Sequence, residues 1–327
     1  MIRHVLGIRQ LEVREIEHLL ELGTDFKKRI VEGRSVPEIK QKVVGMLFFE
    51  NSTRTRVSFE QAAYYLGMKT ANFSSAGSSM SKGETLKDTI LTLRHERLDG
   101  LVMRHRMSGA ATLAARFFGG PVVNAGDGQH EHPTQALGDA LTILERKGRI
   151  EGLSVAIVGD VEHSRVARSN AWLLSKMGAD IRFVGPRTLM PDTMTMLPGK
   201  VCHDLPTGIA GADVIICLRL QRERMLDGLF SSVGEYASMY QINRETLAFA
   251  RPDCLVMHPG PINRGVELDD PAADSDQSAI NAQVENGIFV RMACLYWAFG
   301  QEGMGKNFPQ AIAAAKAVSK PKGKVKA

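Results

Sequence analysis

Residues 50–60, Glu-Asn-Ser-Thr-Arg-Thr-Arg-Val-Ser-Phe-Glu, put three hydroxyls (Ser52, Thr53, Thr55) and two guanidiniums (Arg54, Arg56) within five positions. An apolar run over 43–49 precedes them, and an amphipathic run over 57–66 follows and stops at Gly67. A strand that feeds a helix through such a turn makes an anion site. The first N–H groups of a helix lack intrahelical acceptors, and the helix dipole is positive there. Hydroxyls and forked guanidiniums add the donors a phosphate accepts. The competing reading is an N-cap box with a surface charge pair.

The run Gly126-Asp127-Gly128-Gln129-His130-Glu131-His132-Pro133-Thr134-Gln135 repeats that arrangement, with Pro133 suited to the first helical position. His132 and Gln135 are three apart and share one face of the helix start. A neutral imidazole and an amide there can donate to a carbonyl oxygen, as an oxyanion site does; a capped, internally satisfied histidine is the alternative. His130, His132 and Asp127 could be read as metal ligands, but no cysteine or spaced histidine completes a set, so no metal is expected.

Other cations stand where chains of this kind turn. Lys82 lies in a Ser/Gly-rich loop that begins at Ser78 and precedes Gly83-Glu84-Thr85. Arg104 closes a strand-like run, and ligand crevices of open α/β sheets form at such ends. The turn 159–167 lacks GxGxxG and carries Arg165, which suits a carboxylate better than a dinucleotide pyrophosphate. Arg219, Gln221, Arg222 and Arg224 follow another strand-like run. Two prolines and two glycines in His258-Pro259-Gly260-Pro261-Ile262-Asn263-Arg264-Gly265 fix an irregular loop whose carbonyls can face a ligand. No nucleophile sits beside an activating base at a recognised spacing, so direct transfer is expected rather than a covalent intermediate. The first half gathers donors for phosphate and carbonyl, the second gathers arginines for carboxylates. A cleft between them would hold a phosphorylated acyl compound and a dicarboxylate.

The elements that must position these residues alternate. Helices are expected over 11–22, 85–94, 110–118, 133–147, 167–177 and about 279–299. Strands are expected over 43–49, 70–73, 99–103, 121–125, 154–160, 180–184, 214–218 and 254–257. The fold class is therefore α/β: two domains, each a parallel sheet flanked by helices, with the C-terminal helix crossing back to the first domain. The pattern breaks at Gly148-Arg149-Ile150-Glu151-Gly152. The expected division is 1–147, 148–288, a returning helix over 289–310, and a basic tail over 311–327, expected to be disordered.

Composition suits an ordinary globular chain of 327 residues, 44% hydrophobic and 24% charged. No apolar run approaches the ~20 residues of a membrane span, and the N-terminus lacks a signal-peptide core. Four dispersed cysteines without a CxxC pair read as reduced thiols, which suits a cytoplasmic chain. Lys320, Lys322, Lys324 and Lys326 supply four of the formal net charge of +5, so the body is nearly neutral and nucleic-acid binding is not expected.

Phe48-Phe49-Glu50-Asn51-Ser52-Thr53-Arg54-Thr55-Arg56 resembles the carbamoyl-phosphate signature of the transcarbamoylase family, and His132-Pro133-Thr134-Gln135 resembles its second signature. His258-Pro259-Gly260-Pro261, Lys82 followed by Gly83-Glu84-Thr85, and Arg219-Leu220-Gln221 are similar to the aspartate branch, whereas the ornithine branch has His-Cys-Leu-Pro. The resemblance covers about residues 1–305. It implies carbamoyl transfer from carbamoyl phosphate to L-aspartate in pyrimidine biosynthesis, without a cofactor; another acceptor amine such as ornithine is the alternative. It further implies that Ser52, Thr53, Arg54 and Thr55 hold the phosphate, and that Arg104, His132 and Gln135 act around the carbonyl and amide. The Gly260 and Pro261 carbonyls hold the NH2 group, and Lys82, Arg165, Arg219 and Gln221 hold aspartate. Arg54, Thr55, Arg104 and His132 are the implied catalytic set. Ser78 and Lys82 would come from a neighbouring subunit of a homotrimer with shared sites. Glu50 would pair with Arg165, Arg222 and Arg224 on domain closure. A regulatory chain or another pyrimidine-pathway enzyme is a possible further partner.

Overall fold

In the computed structural model, residues 2–74, 83–190, 194, 196–221 and 232–300 are described. The first half runs α1 (Val13–Val31), β1 (Val43–Phe48), α2 (Thr53–Tyr65), β2 (Lys69–Ser74), α3 (Leu86–His95), β3 (Gly100–His105), α4 (Ala110–Phe118), β4 (Val122–Asp127) and α5 (Pro133–Lys147). The second runs β5 (Ser154–Val158), α6 (Arg165–Lys176), β6 (Asp180–Val184), β7 (Lys200–Cys202), α7 (Leu205–Ile209), β8 (Val214–Cys217), α8 (Val233–Tyr240), α9 (Arg244–Leu247), β9 (Leu255–Met257), α10 (Asp270–Ala273) and α11 (Ile280–Ala298). The central strands are buried almost end to end, as parallel strands covered on both faces must be.

All strand pairs are parallel. The orders are β2-β1-β3-β4 in one sheet and β7-β6-β5-β8-β9 in the other. Each order reverses direction once, between β1 and β3 and between β5 and β8. At such a reversal the connections leave to opposite sides and open a crevice beyond the strand ends. The segments 49–55 and 103–106 leave the first reversal, and 159–165 and 218–221 leave the second.

Helix α11 packs on α1, α5 and α2, so the chain does return to its first half. The helix is continuous from Ile280 to Ala298, and the expected division at 288/289 falls inside it. Buried residues ring most of its length because helices of the first half surround it. Where α5 and α11 cross, Gly138 faces Gly287; a Cβ at 138 would lie 3.5 Å from the Gly287 Cα.

The N-terminal segment ties the halves together. Val5 bonds to Val122 and Asn124 beside β4. Lys176 at the end of α6 donates to the carbonyls of Ile8, Arg9 and Leu11. No helix of the described residues is long and apolar enough to cross a membrane.

Candidate active site

A cleft of about 420 Å³ lies between the two reversal points. The first half supplies Glu50, Ser52, Thr53, Arg54 and Thr55 from the β1–α2 turn, Arg104 from the end of β3, and His132 and Gln135 from the start of α5. Across from them stand Arg165 at the first residue of α6, Arg219 and Gln221 after β8, and Gly260 and Pro261 after β9. The structure thus brings these expected site residues together. Ser78, Lys82, Arg222 and Arg224 lie outside the described residues.

Ser52 is the N-cap of α2 but accepts no capping bond; its hydroxyl donates instead to Thr55 Oγ1 at 3.0 Å. The capping-box reading of this turn therefore fails, and no acidic side chain occupies the first helical turn. The amides of that turn are left to an external acceptor. Partial desolvation in the cleft, then the charge of Arg219, lowers the Arg54 pKa. Two guanidiniums that raise each other's energy are stabilised together by an anion between them.

Glu50 bridges the halves. Its carboxylate accepts from Arg104 Nη2 at 2.8 Å and from both Arg165 terminal nitrogens at 2.9 and 2.6 Å. The forked geometry orients both guanidiniums. Arg165 also donates to the Gly128 carbonyl at 3.1 Å. Its expected pairing with Glu50 is thus present in this structure.

His132 is buried at the N-cap of α5. Its backbone N–H donates to Ser169 Oγ on α6 at 2.8 Å. Burial, then the charges of Arg104, Arg165 and Arg291, pushes the imidazole pKa well below the ordinary 6.5. The ring is therefore neutral at physiological pH and can donate only from one nitrogen. Nδ1 is buried without a hydrogen-bond partner among the described residues, so the alternative of an internally satisfied histidine does not hold. No cluster of metal-ligating side chains occurs among the described residues.

The 258–261 loop is built around a buried pair. His258 Nδ1 accepts from the Gly260 N–H at 2.8 Å, so its Nε2 carries the proton and donates to Glu267 at 3.0 Å. Gly260 has φ +63° and precedes a cis bond to Pro261. A Cβ at 260 would collide with the Arg54 guanidinium. Only glycine allows the loop to lie against the phosphate-type turn.

Two family models match in tandem. Residues 3–145 match "Aspartate/ornithine carbamoyltransferase, carbamoyl-P binding domain", and residues 151–298 match "Aspartate/ornithine carbamoyltransferase, Asp/Orn binding domain". The chain belongs to the aspartate/ornithine carbamoyltransferase family. Among its relatives, the aspartate carbamoyltransferase catalytic subunit of Syntrophomonas wolfei is 51% identical over 91% of this chain and 96% of its own. That of Pelotomaculum thermopropionicum is 48% identical over 90% and 96%. Among solved structures, aspartate transcarbamoylase from Trypanosoma cruzi in complex with carbamoyl phosphate and aspartate superposes with a TM-score of 0.82 at 32% identity, covering 90% of this chain and 96% of that one. Ornithine carbamoyltransferase from Pyrococcus furiosus gives 0.82 at 29%, covering 92% and 98%.

This carbamoyltransferase cleft also contains residues that the sequence reading did not find. Arg291 of α11 is buried, donates to Ser58 Oγ at 2.7 Å and lies over the Phe59 ring. Burial brings its pKa down to about 10. Its signal was a lone arginine inside Ile288-Phe289-Val290-Arg291-Met292-Ala293. An isolated charge in an apolar helix is costly unless it is paired. Gln283, about two turns earlier on the same side of α11, also lines the cleft.

Proposed function

We propose that this protein transfers the carbamoyl group of carbamoyl phosphate to the α-amine of L-aspartate, giving N-carbamoyl-L-aspartate and phosphate, the second step of de novo pyrimidine biosynthesis. One observation carries the reading: a phosphate-type turn and a carboxylate-type arginine set face each other across one cleft, with carbonyl donors between them. Carbamoyl phosphate is a mixed anhydride with a good leaving group. The neutral amine attacks its carbonyl carbon, a tetrahedral oxyanion forms, and phosphate departs with the C–O bond's electron pair and takes up the proton that the amine nitrogen sheds. Ser52, Thr53, Arg54 and Thr55 hold the phosphate, and Thr55, Arg104 and His132 donate to the oxyanion. Gln135 and the carbonyls of Gly260 and Pro261 receive the carbamoyl NH2. Arg165, Arg219 and Gln221 hold the aspartate carboxylates, so Arg165 shares its guanidinium between substrate and Glu50. Holding two anions in contact supplies much of the remaining acceleration.

The same reading places the protein in the cytoplasm as a homotrimer, with Ser78 and Lys82 completing a neighbour's site. Arg222 and Arg224 join Glu50 on closure, and a regulatory chain or another pyrimidine-pathway enzyme is a further partner class. A carbamoyl-aspartate assay with a native mass measurement tests it. Phosphate release with aspartate but not ornithine, from a species of three chains, is expected; turnover with ornithine in its place would move the acceptor, and no turnover would reject the reading.

A further inference from the structure

Behind Gln135 lies a carboxylate that the transfer reaction does not itself use. Asp139, one turn along α5, is wholly buried. Three side-chain amides from three helices donate to it: Gln135 of α5 to Oδ1 at 2.8 Å, Gln283 of α11 to Oδ1 at 2.8 Å, and Asn170 of α6 to Oδ2 at 2.7 Å. The direction of these bonds is set from outside. Gln283 Oε1 accepts the His258 backbone N–H at 2.8 Å, and a backbone N–H can only donate. Gln283 therefore turns its NH2 to Asp139, and Asp139 Oδ1 is an acceptor. Gln135 then turns its NH2 to the same oxygen and keeps its carbonyl Oε1 for the cleft.

We propose that Asp139 is a positioning residue that makes the cleft select an acyl phosphate bearing an NH2 group. It does so by locking the Gln135 carbonyl toward that group and, through Gln283 and His258, anchoring the 258–261 loop whose carbonyls face it from the other side. This rests on the carbamoyl phosphate reading above and adds a determinant of donor specificity. An amide free to turn would present its own NH2 to the substrate's NH2 part of the time, and a donor facing a donor leaves both unsatisfied. Acetyl phosphate, with CH3 in place of NH2, has no such group to lose.

The experiment compares the KM for carbamoyl phosphate with the Ki of acetyl phosphate in the full-length enzyme. Asp139→Ala should raise the carbamoyl phosphate KM about tenfold, the size of one net hydrogen bond to a buried polar group. The acetyl phosphate Ki should stay within about twofold. Asp139→Asn should restore discrimination, because its Oδ1 keeps both glutamine donors while Asn170 turns its amide to accept from the Nδ2 group. If the alanine variant does not fold, Asp139→Ser should show the same selective loss at smaller size. Equal weakening of both ligands, unchanged discrimination, or an asparagine variant as defective as the alanine one would each overturn the proposal. Wild type is read first: no turnover of carbamoyl phosphate with aspartate would sink the functional reading itself, whereas turnover with unaltered discrimination in Asp139→Ala sinks only the role given to Asp139.

Discussion

Arg54 and Arg219 aim like charges into one volume from opposite sheets, so their removal should have separable effects. Arg54→Ala should lower kcat by roughly 10²–10³, the loss typical of one transition-state donor. Arg219→Ala should act mainly on the aspartate KM, and steady-state kinetics with each substrate varied will separate the two. His132 gives a pH-dependent test. Its pKa lies well below the 6.5 it would have unfolded. Below about pH 6.5 the unfolded chain binds a proton that the folded chain refuses, so stability present above that pH is lost as pH falls through the folded value. His132→Gln removes this loss: its melting-temperature deficit against wild type should narrow from about pH 7.5 to about pH 5.5. A deficit that stays constant would mean that the ring is not held neutral. Most of the cleft was legible because hydroxyls, arginines and a His-Pro-Thr-Gln run sit at strand ends, where polar residues have no packing role to play. Arg291, Gln283 and Asp139 were not, because each lies inside a helix whose pattern reads as core, and each is bonded to a side chain on an element distant in the chain.

At the scale of elements, glycines divide into two kinds with opposite consequences. Gly138 lies within α5, and an added Cβ would meet the neighbouring helix at ordinary contact distance. Gly138→Ala should therefore raise stability by about 0.5–1 kcal/mol in denaturant melts without changing turnover. Gly260→Ala meets a positive φ and the Arg54 guanidinium together, and should cost kcat about a hundredfold with little loss of fold. Reading a glycine as punctuation also explains one difference between sequence and structure. The helix expected over 11–22 continues to Val31 as α1: Gly23 sits inside it, where a Cβ would meet Leu141 and Val290 at 3.4 Å, an ordinary contact, so this glycine does not end the helix. The buried strands of both sheets were visible as apolar runs. The short β7 and helices α7 to α10 were not, since three to eight residues hold too little periodicity to tell from loop.

Across the whole molecule, the Lys147–Asp253 pair and Glu50 both link the halves ionically, and Glu50 does so within the cleft. Its partner Arg165 is buried, so Glu50→Ala strands a guanidinium in the cleft wall. Because the Glu50 side chain is itself 22% exposed, the cost should be discounted to about 1–3 kcal/mol, with kcat falling at least tenfold. Thermal melts and kinetics on the same preparation will show whether both move. The return of α11 to the first sheet has a consequence for biosynthesis. During translation the first sheet and the helices beside it leave the ribosome well before the helix that covers α1, α2 and α5 has been made. Until the last turn of α11 emerges, that apolar surface stays open on the nascent chain, and the native packing of the first half waits for the second half to be made. Residues 1–147 expressed alone should accordingly be recovered as aggregate, and a separately supplied 148–327 fragment should rescue them only if both are present while the first is still nascent.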